Sequence, residues 1–192
     1  MKKQIALVMA AMMVAGSMGT ACFAGETEAP VTELNWSDAE EYLDELGIEG
    51  DFVSFDEVAM KMWLPGNMQE VELTDEDKEA GFIGYFESTD DSDEKDAVSV
   101  VYVNMDGMDI SDYADQLAEM DGVSDIEPGI VNGLPCVSYE MKDQDSGTLA
   151  FTTEAGYVLE VTCTPVSSDE AQTMAGFIMC SIMPDEEAET EA

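Results

Sequence analysis

Histidine and arginine are absent from this chain, and lysine is scarce: six basic residues stand against 44 acidic ones, for a formal net charge of −38. Each absence closes off a class of chemistry. Without histidine, no unperturbed side chain titrates near neutral pH, and neither a Ser-His nor a Cys-His nucleophile pair can be assembled. Without arginine, no guanidinium fork is present to clamp a phosphate or carboxylate in two-pronged fashion. The acid excess argues against nucleic acid and anionic lipid as partners, because binding them requires cationic side chains to neutralise phosphate. No glycine-rich phosphate loop precedes a helical pattern. Paired carboxylates alone can hydrolyse glycosides, but with 44 acids in the chain such pairs arise by chance. The sequence therefore predicts a protein that is not an enzyme and holds no cofactor.

Long apolar runs are also missing. The longest, residues 5–16, follows Lys2 and Lys3 and is too short to span a bilayer comfortably, which takes about 20 residues. A basic start, a compact apolar run and Cys22-Phe23-Ala24 before Gly25 form a bacterial export signal over residues 1–24. Gly19-Thr20-Ala21-Cys22 also resembles a lipobox, although glycine stands where leucine is usual. Two routes are thus open: lipidation of Cys22, which anchors the protein to the membrane, or cleavage before Gly25, which we expect. Both place the protein outside the cytoplasm. Loss of the signal removes two lysines and no acid, so the charge grows more negative still.

Cysteine is sparse. Beyond Cys22 there are Cys136, Cys163 and Cys180, an odd set that cannot form a complete disulfide framework. Cys163 shares a strand face with Tyr157, Leu159 and Val161 and reads as a small buried hydrophobe. Cys136 and Cys180 meet only if the last helix crosses the strand that carries Cys136. No CxxC spacing suggests zinc.

What remains is a chain with 45% hydrophobic residues and clear periodicity, which argues for a folded core despite the acidity. We read residues 25–35 as an acidic linker, 36–184 as one α+β domain and 185–192 as an acidic tail. Ser37-Asp38-Ala39-Glu40 has the form of a capping box. It opens a helix that carries Ala39, Tyr42, Leu43 and Leu46 on one face and stops at Gly47. Residues 51–64 read as two strands around Asp56-Glu57. Residues 67–80 read as irregular, with a helical turn after Thr74. Strands at 81–88 and 97–105 flank an acidic loop, and a helix at 111–121 turns Ile110, Ala114, Leu117 and Met120 inward. Four strands follow at 124–131, 134–142, 148–153 and 157–164. Asn132-Gly133 joins the first two, a strong hairpin signal because both residues tolerate positive φ. A helix at 168–183, capped by Ser167 and Glu170, closes the chain.

This order, with Met62-Trp63-Leu64-Pro65, Asn132-Gly133-Leu134-Pro135, Gly156-Tyr157-Val158-Leu159 and the closing stretch 178–183, resembles the PsbP-like fold over residues 52–183. The resemblance implies a central antiparallel β-sheet with helices packed on both faces, an α/β/α sandwich. It also implies an accessory or binding role without catalysis.

Two sets of side chains are candidates for binding. Asp90, Asp91, Asp93 and Asp96 form the densest acidic cluster and offer hard oxygens of the kind Ca²⁺ takes. The EF-hand pattern fails there: counted from Asp91, Lys95 sits at the fifth position and no glycine at the sixth. Trp63, Tyr85 and Phe86 are candidate anchors for a protein partner, which the charge balance requires to be basic. The function read from the sequence is a non-catalytic extracytoplasmic binding or accessory protein. The alternative is an acidic protein that binds cations at its surface.

Overall fold

The computed structural model describes residues 32–90, 95–153 and 156–185. Strand β1 (Thr32–Leu34) precedes helix α1 (Trp36–Leu46) and the hairpin β2 (Gly50–Phe55) and β3 (Met60–Pro65). Next come β4 (Met68–Glu70), the short helix α2 (Asp75–Glu79), β5 (Phe82–Ser88), β6 (Ala97–Asn104) and helix α3 (Ile110–Glu119). The meander β7 (Val123–Val131), β8 (Leu134–Met141), β9 (Ser146–Thr152) and β10 (Tyr157–Thr164) leads to helix α4 (Asp169–Cys180) and β11 (Met183–Pro184). The main sheet has eight strands in the order β1-β7-β8-β9-β10-β6-β5-β4, and β11-β3-β2 form a separate sheet of three.

The expected meander and both outer strands are present, with Asn132 at φ 49° and Gly133 at φ 80° in the hairpin turn. All pairings within the main sheet are antiparallel except that of β1 with β7, which is parallel. This short strand lies in the stretch that composition alone marks as linker. Its hydrogen bonds to β7 are tertiary, and no local pattern announces them.

Helices cover both faces of the main sheet. On the inner face, α4, the three-stranded sheet and α1 pack against Val98, Val100, Leu149, Phe151, Leu159 and Val161. Phe177, Ile178 and Ile182 are almost fully buried here, and each such side chain contributes about 1.5–3 kcal/mol. The hairpin presses so closely that a Cβ on Gly84 would stand 2.7 Å from the Phe55 ring. On the outer face α3 lays Ala114 and Leu117 over Val137, Tyr139, Ala150 and Val158. Met120, expected to point inward, ends the helix and is 54% exposed. Leu46, at the last turn of α1, is likewise 52% exposed.

The expected capping box of the first helix does not form. The N-cap is Asn35, whose side chain makes no capping hydrogen bond, and Ser37 lies inside the helix. A distant residue does the capping instead: the Trp36 N–H donates to Asn132 Oδ1 at 2.7 Å. The Asn132 amide also donates from Nδ2 to the Cys180 and Ile182 carbonyls, at 2.8 Å each. One turn side chain therefore satisfies the start of α1 and the end of α4. At α4 the cap is Ser168, one residue beyond the expected serine, and its hydroxyl accepts from the Ala171 N–H.

Candidate functional site

The two halves of the outer face differ. Helix α3 shelters β7, β8 and β9 together with the start of β10, and β9 is buried on both sides over most of its length. Beyond that shelter the strands alternate. Val98 and Val100 of β6 are buried while Ser99 and Val101 are half-open, and β5 behaves the same way. Val103, on the open side, is 38% exposed.

A row of hydroxyl side chains crosses from the sheltered half to the open half. In the register, Tyr139 of β8 faces Thr148 of β9, Thr148 faces Thr162 of β10, Thr162 faces Ser99 of β6, and Ser99 faces Tyr85 of β5. Cross-strand hydroxyl pairs of this kind stabilise a sheet modestly. The Thr148 and Thr162 Oγ1 atoms are 2.8 Å apart. The Tyr139 hydroxyl, across the register from Thr148, donates to Glu160 Oε1. The Tyr113 hydroxyl, reaching down from α3, donates to the same oxygen at 2.6 Å. Two phenols thus converge on one carboxylate oxygen.

Burial first, and then the Glu160 carboxylate, push both phenols well above the usual tyrosine range, so they stay neutral donors. Among the described residues, no donor reaches Glu160 Oε2. Across the strands Glu160 faces Val101 and Ala150, so no second acid opposes it in either pairing. The arrangement is a fixed hydrogen-bond acceptor at the seam between the two halves. Among the described residues the register sets no second carboxylate opposite it, the pairing that glycoside hydrolysis by two acids uses.

Of the three candidate aromatics, Trp63 and Phe86 are core residues, 5% and 4% exposed. Trp63 packs beside Trp36, and its N–H donates to the buried Ser181 hydroxyl at 2.8 Å. Phe86 meets Phe55 edge-on. Tyr85 alone has surface to offer, on the open outer face, where its hydroxyl reaches Glu87 at 3.3 Å.

In the acidic loop, Asp91 and Asp93 lie outside the described residues, as does Cys22. Asp90 accepts from the Asn67 amide at 2.8 Å. The Asp96 carboxyl is pushed up by burial and then by the charges of Asp90 and Glu170. Among the described residues, no cluster of three metal-ligating side chains forms. Cys136, Cys163 and Cys180 are free and buried, and burial raises each thiol to about 12. A shallow polar cavity of about 180 Å³ lies between the β8–β9 connection and the start of α4.

The Glu160 cluster was not visible in the sequence. Alternation along β10 sets Glu160 and Thr162 opposite Leu159 and Val161, which marks a polar face, but the pairing with Tyr139 and Tyr113 depends on register and on where α3 lands. No described helix is long and apolar enough to cross a membrane.

No protein-family model matches the chain. No curated protein matches it either. Among solved structures, it is similar to the cyanobacterial PsbP protein CyanoP from Synechocystis sp. PCC 6803, with a TM-score of 0.50 at 10% identity, over 88% of this chain and 99% of that one. A Bacteroides thetaiotaomicron VPI-5482 structure aligns at a TM-score of 0.39 and 16% identity, over 67% of this chain and 46% of that one, too low a score to bear on the fold. The order of strands and helices, the sheet clad on both faces and the CyanoP likeness together identify the architecture as the PsbP-like fold.

Proposed function

We propose that this protein is a non-catalytic extracytoplasmic binding module whose partner is a basic protein. The observation that carries this reading is a half-open sheet face, bordered by a carboxylate with a free oxygen, on a chain with a net charge of −38. Long-range attraction from such a surface accelerates association with a cationic partner, while specificity comes from contacts made at the centre of the interface. The lack of histidine and arginine and the saturated Glu160 Oε1 support the absence of catalysis. The export signal supports a location outside the cytoplasm, either free or tethered through Cys22.

Binding kinetics against a partner co-purified from the native organism test this. The association rate falls steeply with salt, while the dissociation rate changes little. A salt-independent association rate, or turnover of a small substrate by the purified protein, would overturn the reading. The alternative, a cation site in the acidic loop, draws on the density of carboxylates over Asp90, Asp91, Asp93 and Asp96 in the sequence. It requires Ca²⁺ to raise the melting temperature beyond an equal ionic strength of NaCl. It also requires Asp91→Asn with Asp93→Asn to remove that gain.

A further inference from the structure

We propose that Glu160 is the charged anchor of the docking surface, taking a lysine ammonium of the partner end-on through Oε2. The inference rests on the basic-partner reading and adds where the partner sits and which cation it presents. Glu160 and Thr162 are successive outer-face residues of β10, and Val101 and Ser99 stand opposite them on β6. These four make a patch of carboxylate, two hydroxyls and one apolar side chain, with half-exposed Val103 continuing it.

Two features distinguish Glu160 from the many other acids. First, its position is fixed, because Oε1 accepts from Tyr113 of α3 and from Tyr139, which lies beneath that helix on the sheltered half. A carboxylate held in this way loses little side-chain freedom on binding, so more of the contact energy appears as affinity. Second, it has no cation of its own among the described residues. Glu87, the other acid on this face, is already paired with Lys95 at 3.5 Å.

The same geometry selects the cation. A guanidinium binds a carboxylate best through two parallel bonds, one to each oxygen. Here Oε1 already takes two phenol protons, so a fork finds only one free oxygen. An ammonium is a compact charge with donors in several directions, and it fits one carboxylate oxygen flanked by hydroxyls.

The test uses the isotopically labelled full chain, titrated at low salt with a short peptide of alternating lysine and serine and with its arginine counterpart. Amide shifts are expected to centre on residues 99–101 and 160–162, with the lysine peptide binding at least as tightly as the arginine one. Glu160→Gln is expected to weaken binding about tenfold, consistent with loss of one member of a partly desolvated charge pair. Glu40→Gln, on the exposed face of α1, should change it little. Ser99→Lys places a competing cation on the patch without touching the carboxylate or its tyrosines, and should abolish the localised shifts. Shifts spread evenly over the acidic surface, equal losses from the two glutamate variants, or a clear preference for arginine would overturn the assignment. If neither peptide binds at all, the basic-partner reading itself fails.

Discussion

The sheltered and open halves of the main sheet are built from similar strands and differ in what lies above them. Over β8 and β9, α3 brings Ala114 and Leu117 down onto Val137 and Ala150, and the strands are dry on both sides. Over the outer face of β6 and β5 no described helix buries a side chain in this way, and along β6 the same pleat alternates between buried valine and half-open Ser99 and Val101. An antiparallel sheet tolerates one wet face, provided its residues there are polar or small. The inner face is packed under both halves, so the difference between them lies in the outer face alone, buried under α3 on one side and half-open on the other.

The contrast can be broken most directly by truncation. Leu117→Ala should cost about 2–5 kcal/mol, the range for emptying a buried leucine site. Val101→Ala on the open half should cost under about 1 kcal/mol, as surface changes usually do. Denaturant unfolding of the two variants measures this, and equal losses would mean that the open half is covered in solution.

Alkaline titration sharpens the comparison. The folded-state values of Tyr113 and Tyr139 lie well above the ordinary 10.0, so the stability these phenols confer is complete below pH 10. It is lost as the pH climbs further, because the unfolded chain ionises there and the folded chain does not. The ultraviolet signal of these two tyrosines should appear only with loss of the fold. Tyr85, raised above 10.0 by partial burial and Glu87, should ionise while the fold persists. A single step including all tyrosines before unfolding would contradict the sheltered cluster.

The smallest effect concerns the edge of the open half. Asp96 has its folded-state value raised above 3.8, so its contribution favours folding at low pH and is lost as pH rises through that raised value. Asp96→Asn should therefore raise the melting temperature slightly at neutral pH and leave it unchanged well below pH 3.8. An equal gain at both pH values would assign the effect to packing instead of charge.

Much of the fold was legible because local patterns and tertiary structure agree. Asn132-Gly133 marks a hairpin that the sheet uses, and alternation along β6 and β10 predicts which residues are buried. Disagreement arose where a remote partner decided the outcome. Ser37 has the right sequence for a cap, yet the helix begins earlier because Asn132 satisfies the Trp36 N–H. Trp63 and Phe86 carry the bulk that suggests an anchor, but Trp36 of α1 packs beside Trp63 and Phe55 of the second sheet meets Phe86, and nothing near them in the chain signals that cover. The Glu160 cluster joins residues of α3, β8 and β10, and no local spacing encodes it.

Asn132 has a consequence for how the molecule opens. Its side chain links residues separated by 96, 48 and 50 positions along the chain. Movement of the Asn132 turn therefore uncaps the start of the first helix and exposes the carbonyls at the end of the last one together. Helix starts ordinarily fray, and their first amide protons exchange with solvent quickly. The Trp36 amide, at the first position of α1, should instead exchange on the same slow timescale as the amides of the β7–β8 hairpin, because opening of the Asn132 turn exposes both.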